Sequence, residues 1–250
     1  MQLSQVQERP MLRWSGLAGM LGSLVMIAVF IIVGTFVGDA AVDPAAALIR
    51  FPGIQAVRTV ENGLYLVAIA LWAVHIVGLY RGLGAGSVAA TVGGALSLAG
   101  LTVLAAGALP HVATVPISAL YEAPTATATD QATLLLIWRA IQGLFDAILF
   151  AGMALLAAGL VALGVAMLRA AAVGTRFAVL SMALGTIAVV ATVMVVIDLS
   201  SPVAAFGFLG LIAFHLVVGG KLLAVARGSR TLAEPATPAA GPSRVALGER

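Results

Sequence analysis

A bundle of six transmembrane α-helices, all-α and polytopic with both termini in the cytoplasm, is the fold this sequence predicts, and three observations predict it. Of 250 residues, 62% are hydrophobic and 9% charged, with a mean hydropathy of +1.12, whereas soluble domains carry about 25% charged residues. The apolar residues gather into six runs, each near the ~20 helical residues needed to cross a hydrocarbon core of about 30 Å. The bases stand singly at the ends of those runs. With a cytoplasmic amino terminus, Arg9, Arg13, Arg81, Arg169, Arg176, Lys221, Arg227, Arg230, Arg244 and Arg250 fall inside, and Arg50 and Arg58 outside, as the positive-inside rule requires. Asp39, Asp43, Glu61, Glu122, Asp130 and Asp198 fall outside.

The chain then divides into a cytoplasmic segment 1–13, a six-span domain 14–227 and a tail 228–250. Isolated charges among Pro, Ala, Gly and Ser predict disorder for that tail. Three histidines and no cysteine exclude disulfides, thiol catalysis, iron–sulfur clusters and thiolate zinc. A pI near 10.0 points to topology rather than to nucleic acid, because the bases are scattered. Arg in place of Lys, with abundant Ala, Val and Gly, is typical of GC-rich bacterial genomes, so the expected location is a bacterial inner membrane.

The first span is Trp14–Gly38, uncharged throughout and longer than a signal-peptide core of about 7–15 residues. It ends in Gly34-Thr-Phe-Val-Gly38, a GxxxG that permits close helix approach. In the following loop, Asp43-Pro44 reads as an N-cap with Pro at the first helical position, opening a short helix that Pro52-Gly53 ends near Phe51. The second span, Glu61–Tyr80, aligns Glu61, Tyr65, Ala68, Trp72 and His75 on one face. That stripe is expected to be a packing seam.

The third span, Ser87–Leu109, repeats Gly86, Gly93, Gly100 and Gly107 at intervals of seven, a small-residue seam that suits the centre of a bundle. Such Gly-rich faces also suit a second copy or another membrane protein. Residues 110–130 read as a long loop. A fourth helix begins at Asp130 as N-cap and runs to Arg169, about 60 Å or twice the hydrocarbon thickness. Part of it must project, and the preceding loop is expected to cover Leu134–Trp138. The fifth and sixth spans are Phe177–Ile197 and Pro202–Ala226.

Candidate site residues follow from polar groups at the outer boundary. Arg139, Gln142 and Asp146 lie at i, i+3 and i+7, within an arc of about 60°. Charge in hydrocarbon is costly, so such groups face protein or water. Together with Glu61, Asn62, His111 and Asp198 they outline an outward-facing vestibule. Ion pairs and caps at the interface are the structural alternative for the same residues. His75 and His215 fall at equal depth, about 20 Å from the outer surface. Hydrogen bonding within the bundle is the preferred reading for both, and axial ligation of a b-type haem the other. No cofactor is the primary expectation.

Arg58-Thr-Val-Glu61-Asn-Gly63-Leu-Tyr65 and Arg139-Ala-Ile-Gln142-Gly143-Leu-Phe145 are alike, as expected of a parallel repeat pairing spans two and three with four and five, or of chance. The second span, with Arg58 three residues before Glu61, an apolar run holding Trp72 and a closing Leu79-Tyr80-Arg81, resembles a large bacterial family of five- to six-span membrane proteins known only as a domain of unknown function. Arg169 to Gly185 adds to the likeness. The resemblance implies a multi-span helical fold and no assigned activity.

The chain lacks H-E-x-x-H, G-x-S-x-G and Walker motifs, which disfavours an enzyme. Its spans lack the interior Pro common in transporters. The expectation is a binding, sensing or scaffolding protein whose vestibule takes a lipid or other amphiphile, with membrane lipids as partners. A small-solute transporter is the alternative.

Overall fold

The computed structural model describes residues 2–37, 43–84, 87–170, 173–197 and 203–228. They form α1 (Gln2–Ile32), which continues as a π-helical turn Val33–Val37, then α2 (Pro44–Gly82), α3 (Val88–Ala106), α4 (Leu109–Tyr121), α5 (Ala128–Met167), α6 (Thr175–Ile197) and α7 (Val203–Gly228). Six helical segments are long and apolar enough to cross a membrane, α3 and α4 together making one of them. Their outward faces carry exposed Leu24, Ile31, Val67, Val74, Val92, Val190 and Leu209. An apolar exterior of that extent belongs in lipid.

The long helices pack in a ring, each on its chain neighbour: α1 on α2, α2 on α3, α3 on α5, α5 on α6, α6 on α7, and α7 back on α1. Met26, Ile69, Trp72, Ile76, Leu104, Leu160 and Phe214 fill the interior. The glycine seam of α3 does not lie at the centre of the bundle. It faces α5, where a Cβ on Gly93 would sit 2.7 Å from the Leu163 nitrogen and one on Gly100 2.5 Å from that of Leu156. Small residues are spent there on backbone contact, since lipid gives no hydrophobic drive for helix association.

Three sequence expectations are corrected. Pro52-Gly53 does not end a short helix: α2 runs unbroken for 39 residues. Pro52 has no N–H for the carbonyl of Leu48, and the hydroxyl of Ser118 donates to that carbonyl instead, at 2.7 Å. Residues 110–130 are not a long loop, because α4 occupies most of them. Asp130 is not the N-cap of α5. That role belongs to Thr127, with Asp130 closing a capping box, in which each side chain satisfies the other's backbone N–H. The expected cap at Asp43 with Pro44 behind it is present, Asp43 accepting from Ala45 N at 3.1 Å.

α2 and α5 are about 58 and 60 Å long, so each overshoots a hydrocarbon core of about 30 Å. Their overshooting ends enclose α4, and a second small core forms there from Leu48, Ile117 and Tyr121, with Leu134, Leu135 and Trp138 against it. Within the apolar Leu134–Trp138 stretch, α4 therefore covers Leu134, Leu135 and Trp138, while Leu136 and Ile137 stay exposed. This cap stands on the side of the α3–α5 connection. The opposite side holds Gln2, Gly228 and the turns after α2 and α5, where Gly84 and Gly174 both adopt φ of 89°. Asp43, Glu61, Glu122, Asp130 and Asp146 lie toward the cap side, whereas Arg9, Arg13, Arg81, Arg169, Arg176, Lys221 and Arg227 lie toward the other.

Candidate functional site

The cap meets the membrane-spanning part of α2 at a polar corner. α3 ends at Ala106, and its last carbonyls need partners from outside the helix. Tyr65 donates its hydroxyl to the Leu104 carbonyl at 2.7 Å, and the Asn62 amide donates to that of Ala108 at 3.2 Å. Both residues thereby fix the bend into α4. One turn earlier, the guanidinium of Arg58 meets the carboxylate of buried Glu61 at 2.7 Å, the one ion pair among the described residues. Burial with a hydrogen-bonded partner is what a carboxylate at this depth requires.

Two cavities flank this corner. One, about 150 Å³, lies among α2, α4 and α5 and is lined by Arg50, Arg58, His111, Thr114, Trp138 and Gln142, with Phe51 among its apolar walls. Arg50 also donates to the Val37 carbonyl. The other, about 410 Å³, runs between α2 and α4 along Phe51, Gly63, Leu66, Leu109, Val112 and Val115. Phe51, Arg58 and His111 border both. His111 is held from behind by Phe145, ring centroids 5.1 Å apart. The result is a polar chamber opening beside an apolar groove, with a cation at the junction.

Of the residues singled out in the sequence, His111 and Gln142 line the polar chamber, Asn62 lines the groove and Glu61 pairs with Arg58 between them. Arg139 is exposed and Asp146 half-buried, and neither lines the chamber. The polar stripe of α5 thus splits, Gln142 facing the cleft without its two charged neighbours. Asp198 lies outside the described residues. Arg50, Arg58, Thr114 and Trp138 complete the chamber and were not among the predicted site residues. Two of them were legible from spacing: Arg58 is three residues before Glu61, and Trp138 is four before Gln142, each on its neighbour's helix face.

A second polar cluster is buried among α1, α2 and α7. His75 and His215 meet edge to face, centroids 5.1 Å apart and planes at 70°, and His215 stacks on Trp72 at 4.4 Å. Gly19 makes room for them, since a Cβ there would lie 2.5 Å from Nδ1 of His75. His75 is hydrogen-bonded, Nδ1 lying 3.0 Å from the carbonyl of Ser15. A carbonyl only accepts, so the proton sits on Nδ1 and Nε2 keeps a bare lone pair. His215 differs from expectation, because neither of its nitrogens has a hydrogen-bond partner among the described residues, nor has Nε1 of Trp72. The imidazoles touch directly. Bis-axial ligation places an iron and a porphyrin plane between two rings, and here that would require the helices to separate.

The chain matches no known protein family, no curated protein and no solved structure.

Proposed function

We propose that this protein binds a single-chain anionic amphiphile, its head in the chamber at Arg58, His111 and Gln142 and its chain in the groove between α2 and α4. The observation that carries this reading is the junction: a polar and an apolar cavity share Phe51, Arg58 and His111. A concave site with apolar walls and a few placed polar groups is the usual form of a small-molecule site. A chamber of about 150 Å³ suits a carboxylate better than a large headgroup. Glu61 engages Nη1 of Arg58, which anchors the guanidinium at the chamber it lines, and guanidinium is the side chain best matched to carboxylate. The groove lies on the cap side, at the level where α3 gives way to α4, so the ligand enters sideways from the membrane. The charge division supports a cytoplasmic location for both ends of the chain, an outward-facing cap and a bacterial plasma membrane as the home of the protein.

The test is titration of the detergent-purified chain with dansyl-labelled undecanoic acid, followed by displacement with unlabelled carboxylates. Binding should saturate, and each added methylene buried in the groove should tighten displacement about fourfold. Arg58→Gln should weaken binding by at least about tenfold, the loss of one charge-assisted hydrogen bond. Gly63→Leu should block the groove without disturbing the fold, because a Cβ at Gly63 meets nothing within 4 Å. Unsaturable partitioning, or equal affinity in both variants, overturns the proposal.

A further inference from the structure

The end of the bundle opposite the cap carries a separate cavity of about 480 Å³, set between the Arg9–Leu17 stretch of α1 and the last turn of α7. Arg9, Arg13 and Arg227 line it together with Trp14, Leu17 and Ala226, and among the described residues no carboxylate lines it. Arg9 and Arg13 stand at i and i+4 on one helix face, a spacing at which like charges repel. Arg227 adds a third cation from α7. The two helices are locked beside the cavity by reciprocal glycine contact: a Cβ on Gly16 would lie 2.7 Å from the Gly219 carbonyl, and one on Gly219 would lie 2.8 Å from that of Gly16. The three guanidinium groups therefore cannot relax apart by helix separation, and an anion among them removes the repulsion.

Trp14 fixes the depth. It is 69% exposed and stands where the polar residues 1–13 give way to an uncharged run, the position of aromatic side chains at a membrane–water interface. Leu17 continues the wall toward the hydrocarbon, one turn further along α1. The cavity thus offers cations at headgroup level and apolar wall below them. We infer that it is a binding site for an anionic phospholipid, its phosphate held by Arg9, Arg13 and Arg227 and its acyl chains running down past Leu17. Guanidinium binds phosphate oxygens in pairs, and three of them select a lipid whose headgroup carries no compensating cation. The shared chemistry is a phosphate anion, and the depth of Trp14 assigns it to lipid rather than to solution.

The experiment is native mass spectrometry of the full chain, delipidated and then offered equal amounts of phosphatidylglycerol and phosphatidylcholine. The wild type should retain phosphatidylglycerol preferentially. In R9Q/R13Q/R227Q that preference should fall on the order of a hundredfold, each surface arginine contributing its share. Arg58→Gln, at the cap cleft, should leave the preference intact, which separates this site from the amphiphile cleft. Gln keeps side-chain length and helix propensity, and an unchanged Tm of the triple variant shows that it folds. Equal retention of the two lipids by the wild type, or full preference in the triple variant, overturns the inference. Inorganic phosphate replacing chloride at matched ionic strength should leave the wild-type Tm unchanged. A phosphate-specific rise absent from the triple variant would assign the arginines to a soluble anion and overturn the lipid.

Discussion

Ser118 of α4 donates its hydroxyl to the carbonyl of Leu48 in α2 at 2.7 Å, and that carbonyl is the one Pro52 leaves without its intrahelical donor. The two residues are 70 positions apart in sequence. One bond both repairs α2 and docks the cap onto it. Leu48 is fully buried, so water cannot substitute, and Ser118→Ala should cost about 1–3 kcal/mol. Pro52→Ala restores the N–H, so in that background Ser118→Ala should cost less than half as much. Thermal unfolding of the four proteins of this cycle measures the coupling. Equal cost in both backgrounds would falsify the repair.

Gly100 and Gly143 should respond oppositely to alanine. At Gly100 the new Cβ would stand 2.5 Å from a backbone nitrogen of α5, whereas at Gly143 it meets nothing within 4 Å. Gly100→Ala must push two helices apart and should destabilise by about 2 kcal/mol. Gly143→Ala improves helix propensity and should be neutral or stabilising by up to about 1 kcal/mol. Similar melting temperatures for the two variants would contradict the close packing of α3 on α5.

His75 and His215 are both fully buried, but among the described residues only His75 has a hydrogen-bond partner. Ser15 clasps it twice, since the Ser15 hydroxyl also donates to the carbonyl of His75 at 2.9 Å. His75→Phe removes the bond to the Ser15 carbonyl and leaves the His75 carbonyl clasped by the Ser15 hydroxyl alone, and should lower Tm. His215→Phe keeps a flat ring against Trp72 and removes unpartnered nitrogens, each costing about 1–3 kcal/mol when buried, so it should be neutral or stabilising. A large loss of stability in His215→Phe would mean that its nitrogens hold something in the native protein.

The absence of cysteine makes topology easy to test. Thr125, between α4 and α5, and Thr175, at the start of α6, are both exposed and lie on opposite sides of the bundle. In intact cells, a membrane-impermeant thiol reagent should label Thr125→Cys and not Thr175→Cys. The reverse pattern would invert the orientation read from the arginines.

Composition and periodicity alone determined the class, the six spans and the face of α2 that is buried, because hydrocarbon tolerates only helices and rewards apolar length. Of Glu61, Tyr65, Ala68, Trp72 and His75, aligned by spacing, all are buried except Tyr65, which is half-buried. Local rules also placed the cap at Asp43, where side chain and backbone lie two residues apart. What they missed were elements whose stability comes from distant partners. Pro52 breaks a helix in isolation, and α2 continues because Ser118 reaches it from another segment. A Thr- and Pro-rich stretch looks like a loop, and α4 forms because Leu48, Leu134 and Trp138 give its Ile117 and Tyr121 a surface to bury against. The cleft followed the same division. His111 and Gln142 stood out as polar residues in apolar surroundings, and spacing on one helix could add Arg58 to Glu61 and Trp138 to Gln142, but these residues and Arg50 come to line one chamber only once α2, α4 and α5 pack together. Spacing on one helix carries no information about which face of another helix it will meet. That was decided by the glycine contacts, which fix how closely and at what register the helices approach.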